Sequence, residues 1–153
     1  MHCNNNRNIN LIHRAYCIKN PRGRAGYGAR LWGLTASDGP DGYRACSPTR
    51  DDGTIAPTAA LSAMPYTPTE SIAALRHMYH QYGKQLWGEH GFRDAMNLDR
   101  RWFADTYLAI DQGPIICMIE NYRTALCWHM FMSNPEIQPM LQAIGWRSEL
   151  NEQ

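Results

Sequence analysis

TPTESIAALRHMYHQYG, residues 67–83, carries the clearest structural signal in the chain. Thr67 stands where a helix cap would. Pro68 takes the first helical position, where its missing N–H costs nothing, and Glu70 completes a capping box. Ile72, Leu75, Met78, Tyr79 and Tyr82 then recur at helical spacing and mark one apolar face. The stretch predicts a helix ended by Gly83 or Gly88.

Outward from it, the flanks also read as helices. Toward the N-terminus, Ile9, Leu11, Ile12, Ala15, Tyr16 and Ile18 predict a helix over roughly residues 6–19, stopped by Asn20-Pro21. A short one is expected over Pro57 to Met64. Toward the C-terminus, a long helix is expected from about Asp111 to Met132. Asn134-Pro135 ends it and starts another, with Ile137, Leu141 and Ile144 on its buried face and Gly145 as its stop. A weaker helical start lies near Leu98 to Asp105. Strand signals are scarce, with Thr54-Ile55 a candidate for brief pairing. The fold class expected is all-α.

One stretch breaks the pattern. Between Asn20 and Pro57 lie seven of the twelve glycines and four of the nine prolines. No helix runs through such a stretch, because Gly costs about 1 kcal/mol and Pro about 3 in a helix interior. It nonetheless holds Tyr27, Trp32, Tyr43, Asp38, Asp41, Asp51 and Asp52, and long irregular segments of that kind tend to be functional.

Composition narrows the function classes. At 153 residues, 44% hydrophobic and 19% charged, the chain can bury a core. Fifteen basic residues face fourteen acidic ones with no long run of either sign, which argues against a nucleic-acid surface or a polybasic membrane patch. No stretch reads as a membrane span, and the first residues lack the apolar core of a signal peptide. Five scattered cysteines argue against a disulfide framework and for free thiols. His77 and His80 lie three apart but lack a third ligand, so no metal site and no cofactor are expected.

Four strings, in order, resemble the glucoamylase-like domain family, also grouped as glycoside hydrolase family 144. They are RAYCIKNP (14–21), WGLTASDGPDGY (32–43), DGTIAPTAA (52–60) and YLAIDQGPII (107–116), the last continuing to ENYRT (120–124). A fifth, LWGEHGFRDAMN (86–97), falls between them in the expected order. The match covers about residues 8–146. His90 and Met96 depart from the family pattern, which has Tyr and an aromatic there.

The resemblance implies an (α/α)6 toroid, of which this chain would supply the last four or five helices and a long Gly-rich loop region as one partial domain, residues 1–153. It implies a β-1,2-glucan oligosaccharide or polysaccharide as substrate and a missing N-terminal segment or partner chain that completes the ring, while the charge and hydropathy above lead to the expectation of no nucleic-acid and no membrane partner. It also implies a periplasmic or secreted setting. The alternatives are the transglycosylase domain of a cyclic β-1,2-glucan synthase, or an inactive sugar-binding fragment. A piece of a helical ring should leave apolar surface open.

Glycoside hydrolysis needs two carboxyl groups flanking the scissile bond. The matched strings offer Asp38, Asp94 and Glu120 as catalytic candidates. Asp38, in a Ser-Asp-Gly-Pro turn, reads equally as turn chemistry. Glu120 sits in an apolar helix with Arg123 three residues on, and reads equally as a structural ion pair. Substrate-binding candidates are Trp32 and Trp87, whose rings could stack on a sugar, with Asn97, Asp111, Gln112 and Arg123 for its hydroxyls. Asp111 also suits a helix cap.

Overall fold

The computed structural model describes residues 2–146, with side chains from residue 4 onward. Six helices occur among these residues: α1 (His2–Lys19), α2 (Pro57–Leu61), α3 (Pro68–Leu86), α4 (Ala109–Thr124), α5 (Leu126–Met132) and α6 (Ile137–Ala143). Pro68 opens α3 as expected, but the capping box does not form. The Thr67 hydroxyl lies 3.3 Å from the Ala63 carbonyl and 3.1 Å from the Ser71 hydroxyl instead. Gly83 does not stop α3 either. Three more helical residues follow it, and Leu86 ends the helix fully buried.

The single long helix expected over residues 111–132 is two. Ala125 takes the left-handed conformation, φ 56°, and turns the chain between α4 and α5. Gly145, φ 66°, does end the last helix region, with its N–H bonded to the Gln142 carbonyl.

The chain is not all-α. Seven two-residue strands run through its middle: β1 (Ala36–Ser37), β2 (Arg44–Ala45), β3 (Thr54–Ile55), β4 (Trp87–Gly88), β5 (Gly91–Phe92), β6 (Met96–Asn97) and β7 (Trp102–Phe103). They form three small antiparallel sheets, β1-β2, β3-β6-β7 and β4-β5. The helical start near residues 98–105 is replaced by the β6-β7 turn, with Arg101 at φ 50°. Buried irregular backbone must still pair its N–H and C=O groups, and these short ladders do so.

The irregular middle is part of the core. Tyr27, Leu31, Trp32, Leu34, Cys46 and Ile55 pack with Leu61, Met78, Leu86, Phe92 and Met96. One glycine shows how tightly it closes. Gly33 sits at φ 145°, and a Cβ there would lie 2.6 Å from the Ala56 carbonyl oxygen. Asp51 ties the same region together. Its carboxylate accepts from Tyr16 Oη (2.9 Å), Tyr27 Oη (2.9 Å) and the Gly53 N–H (2.8 Å), and pairs with Arg24 at 3.4 Å.

The outer helices differ. Among their described residues, α1 buries Cys17, while α5 and α6 bury none. Ile12 is 61% exposed, Ile116 of α4 70% and Met130 of α5 66%. The face expected to be buried by Ile137, Leu141 and Ile144 is only half-buried at Ile137 and Leu141, and Ile144 is 67% exposed.

Candidate active site

Three aspartates from three distant parts of the chain meet at one place. Asp38 directly follows β1. Asp94 lies two residues past Phe92 of β5, where its N–H is held by the Thr106 carbonyl at 3.1 Å. Asp111 occupies the first turn of α4, where a carboxylate is favoured by the helix dipole. It does not cap: Leu108 holds the cap position, and the Asp111 N–H goes to the Leu108 carbonyl.

Contacts lock the group. The Asp38 N–H donates to Asp94 Oδ2 at 2.7 Å, and the Thr106 hydroxyl donates to Asp38 Oδ2 at 2.6 Å. Thr58 Oγ1 holds the Asp111 carbonyl at 2.9 Å. Gln112 Nε2 donates to the Phe92 carbonyl at 2.6 Å, which fastens the start of α4 beside β5. Asp94 is 1% exposed and Asp111 is also buried, while Asp38 is half-buried and reaches solvent.

Asp94 Oδ1 and Asp111 Oδ2 are both buried, and neither has a hydrogen-bond partner while both groups are ionised. Two ionised carboxylates side by side in a dry site repel each other, which is relieved when Asp94 holds a proton. Burial is the largest influence on Asp94 and raises its pKa. The Asp38 N–H opposes this, while Asp111 and Asp38 add to it, and the carboxyl reaches about 7. A carboxyl tuned this way holds a proton near neutral pH, as proton-transfer chemistry requires.

Glu120 does not join the group. It lies nine residues along α4 from Asp111, about 13 Å at 1.5 Å rise per residue. Its carboxylate accepts from Arg123 Nη1 at 2.8 Å and Thr124 Oγ1 at 2.7 Å, so the structural ion pair is the reading that fits Glu120 and Arg123. Trp32 is corrected as well. It is 1% exposed in the core, with no ring face for a sugar. Asn97 is buried and spent on structure, donating to the Asp52 carbonyl and Thr54 Oγ1, both at 3.1 Å, and accepting from the Arg100 N–H. Gln112 is occupied as described. Trp87 keeps an exposed face. It packs edge-on against Phe92 and Tyr79 and borders a shallow depression with His80 and Lys84.

Thr106 and Thr58 were not anticipated. They reach Asp38 and Asp111 across 68 and 53 positions, a separation that no local motif marks. The His77 and His80 rings each pack edge-on against a tyrosine, Tyr82 and Tyr79. Among the described residues no group of three His, Cys, Asp or Glu is arranged to hold a metal ion, and no helix is long and apolar enough to cross a membrane.

The sequence profile of the Glycoamylase family, which groups glucoamylase-type proteins, matches residues 1–135. The chain belongs to this family. The exo β-1,2-glucooligosaccharide sophorohydrolase (non-reducing end) of Parabacteroides distasonis is 49% identical over 142 residues, which is 92% of this chain but 20% of that protein. The structure of the endo-β-1,2-glucanase of Chitinophaga pinensis, in complex with sophorotriose and glucose, is 49% identical and superposes with a TM-score of 0.84. It covers 87% of this chain, which covers 32% of it. A glucoamylase-type structure from Bacteroides uniformis is 61% identical, with a TM-score of 0.85 and the same two coverages. The chain thus spans about a fifth of the curated relative and about a third of these solved structures, as a C-terminal portion of the family fold.

Proposed function

We propose that this chain is the C-terminal part of a β-1,2-glucan hydrolase, one partial domain over residues 1–153, and that the Asp38–Asp94–Asp111 cluster handles protons in its cleft. The observation that carries this reading is the buried carboxyl pair, Asp94 against Asp111, beside a carboxylate that reaches solvent, Asp38. In this reading Asp38 meets the sugar or the attacking water. Asp94 retains an exchangeable proton behind it. Trp87, two residues before the β4-β5 turn that leads to Asp94, offers a ring face to a glucose unit.

The substrate class is supported by the relatives, which act on β-1,2-linked glucans and glucooligosaccharides. The architecture proposed is part of an (α/α)6 toroid, completed by an N-terminal segment or a partner chain. The open apolar residues on α1, α4, α5 and α6 support it, because a ring segment exposes the faces its neighbours would cover.

A chimera tests the site. Residues 8–146 replace the corresponding third of the Chitinophaga pinensis endo-β-1,2-glucanase, and release of reducing ends from linear β-1,2-glucan is measured. Asp38→Asn and Asp94→Asn should each lower kcat/KM by about 100-fold or more, the scale of a lost proton-transfer group. Full activity in both variants would remove the cluster from the mechanism.

A further inference from the structure

We propose that Cys117 and Cys127 close a reversible disulfide that clips α4 to α5. The chain has five cysteines. Cys17 and Cys46 are buried, and burial pushes both thiols up to about 12, which leaves them inert near neutral pH. Cys117 and Cys127 lie outside the core, Cys117 exposed and Cys127 half-buried.

Sequence spacing does not pair them; the backbone does. The left-handed Ala125 reverses the chain, and Cys127 Sγ arrives 3.9 Å from the Cys117 carbonyl oxygen, ten positions away. The two thiols also sense each other. Loss of water, and then the adjacent Cys117 thiol, raise the pKa of Cys127. A disulfide needs its two residues to face each other at short range, and the Cys127 sulfur already lies against the Cys117 backbone.

The exchange balances with a small-molecule disulfide, such as glutathione disulfide, as oxidant. The Cys117 thiolate attacks one of its sulfurs, forms a mixed disulfide and releases one glutathione, which takes up a proton. Cys127 then gives up its proton and attacks the Cys117 sulfur, releasing the second glutathione. Two protein thiols are oxidised by two electrons, and one small disulfide is reduced to two thiols. The clip fixes the angle at the Ala125 joint. It also holds Trp128 of α5 near Tyr66, their ring centroids 6.5 Å apart.

Trypsin makes the test direct, because Arg123 lies between the two cysteines. The folded chain is incubated with glutathione disulfide, alkylated, and digested without reduction. Peptides 102–123 and 124–147 should appear joined, in material that runs as a monomer, and lighter than their sum by two hydrogens. Cys127→Ser should leave Cys117 as a stable glutathione adduct. The proposal is overturned if both peptides stay separate and each carries glutathione. A link found only between copies, or one formed in equal yield in urea-unfolded chain, would overturn it too.

Discussion

The Gly-rich middle of this chain and its outer helices have exchanged the roles their compositions suggest. The middle has little regular structure, yet it is closed: Trp32, Leu31 and Ile55 are fully buried, and Asp51 has four partners. The helices α1, α5 and α6 are regular, yet they leave apolar side chains facing solvent. Regularity satisfies backbone hydrogen bonds locally, whereas burial depends on what lies alongside. An irregular segment packed against helices can therefore be well buried while a regular helix leaves its apolar face open.

The comparison breaks most severely at Asp51. Asp51→Ala removes the acceptor for the buried Tyr27 hydroxyl, the half-buried Tyr16 hydroxyl and a guanidinium, and should cost about 3 kcal/mol or more in chemical denaturation. Burial works to raise the Asp51 pKa, but the Gly53 N–H, Tyr16, Tyr27 and Arg24 outweigh it and hold it below the ordinary 3.8. A depressed carboxylate stabilises the fold above its unfolded pKa and loses that contribution as pH falls through its folded pKa. The stability gap between wild type and Asp51→Ala should accordingly shrink below about pH 4.

Gly33→Ala attacks the same closed region by volume. Its Cβ would meet the Ala56 carbonyl at 2.6 Å from a backbone conformation that L-residues rarely adopt, and about 2 kcal/mol of destabilisation is expected in urea melts.

Asp94→Asn should move stability the other way. A carboxyl whose folded pKa is raised to about 7 costs stability as pH rises from its unfolded 3.8 toward 7, and the full cost persists above. An amide carries no charge and can donate toward Asp111. The variant should melt about 5 °C higher at pH 8, with a smaller gain at pH 4. A lower melting temperature at pH 8 would mean that Asp94 is ionised and well paired there.

The smallest effect belongs to the open helices. Ile12→Glu or Ile116→Glu should shift the thermal midpoint of the isolated chain by about 1 °C or less, because an exposed side chain contributes little to folding. Binding of a hydrophobic dye should fall. A large loss of stability would mean that these faces are already covered.

These two regions also explain what the sequence disclosed. Pro68 and the apolar periodicity after it placed α3, although Thr67 spends its hydroxyl on Ala63 and Ser71 rather than on a cap. The break at Ala125 was invisible, since Ala is the best helix former and nothing beside it marks a turn. Asp38 and Asp94 were legible as candidates because their strings match a family pattern. Their meeting with Asp111 was not, because it depends on contacts such as that of Thr106 with Asp38, 68 positions apart. Trp32 misled for a simple reason: an indole in a Gly-rich string looks the same whether its face meets sugar or core. Glu120 misled because its apolar neighbours looked alike in sequence, yet Ile115 is buried and Ile119 packs on the core while Ile116 is 70% exposed.

We propose that the open helices are covered by the rest of a glucan-hydrolysing ring, and co-expression tests this most directly. The chain would be produced with the N-terminal two-thirds of the Chitinophaga pinensis endo-β-1,2-glucanase as a separate polypeptide, and release of oligosaccharides from linear β-1,2-glucan would be measured. The account predicts a co-purifying pair with glucanase activity, lost on Ile116→Glu through failure to assemble and on Asp94→Asn without it. Two well-folded polypeptides that stay apart and inactive would contradict it.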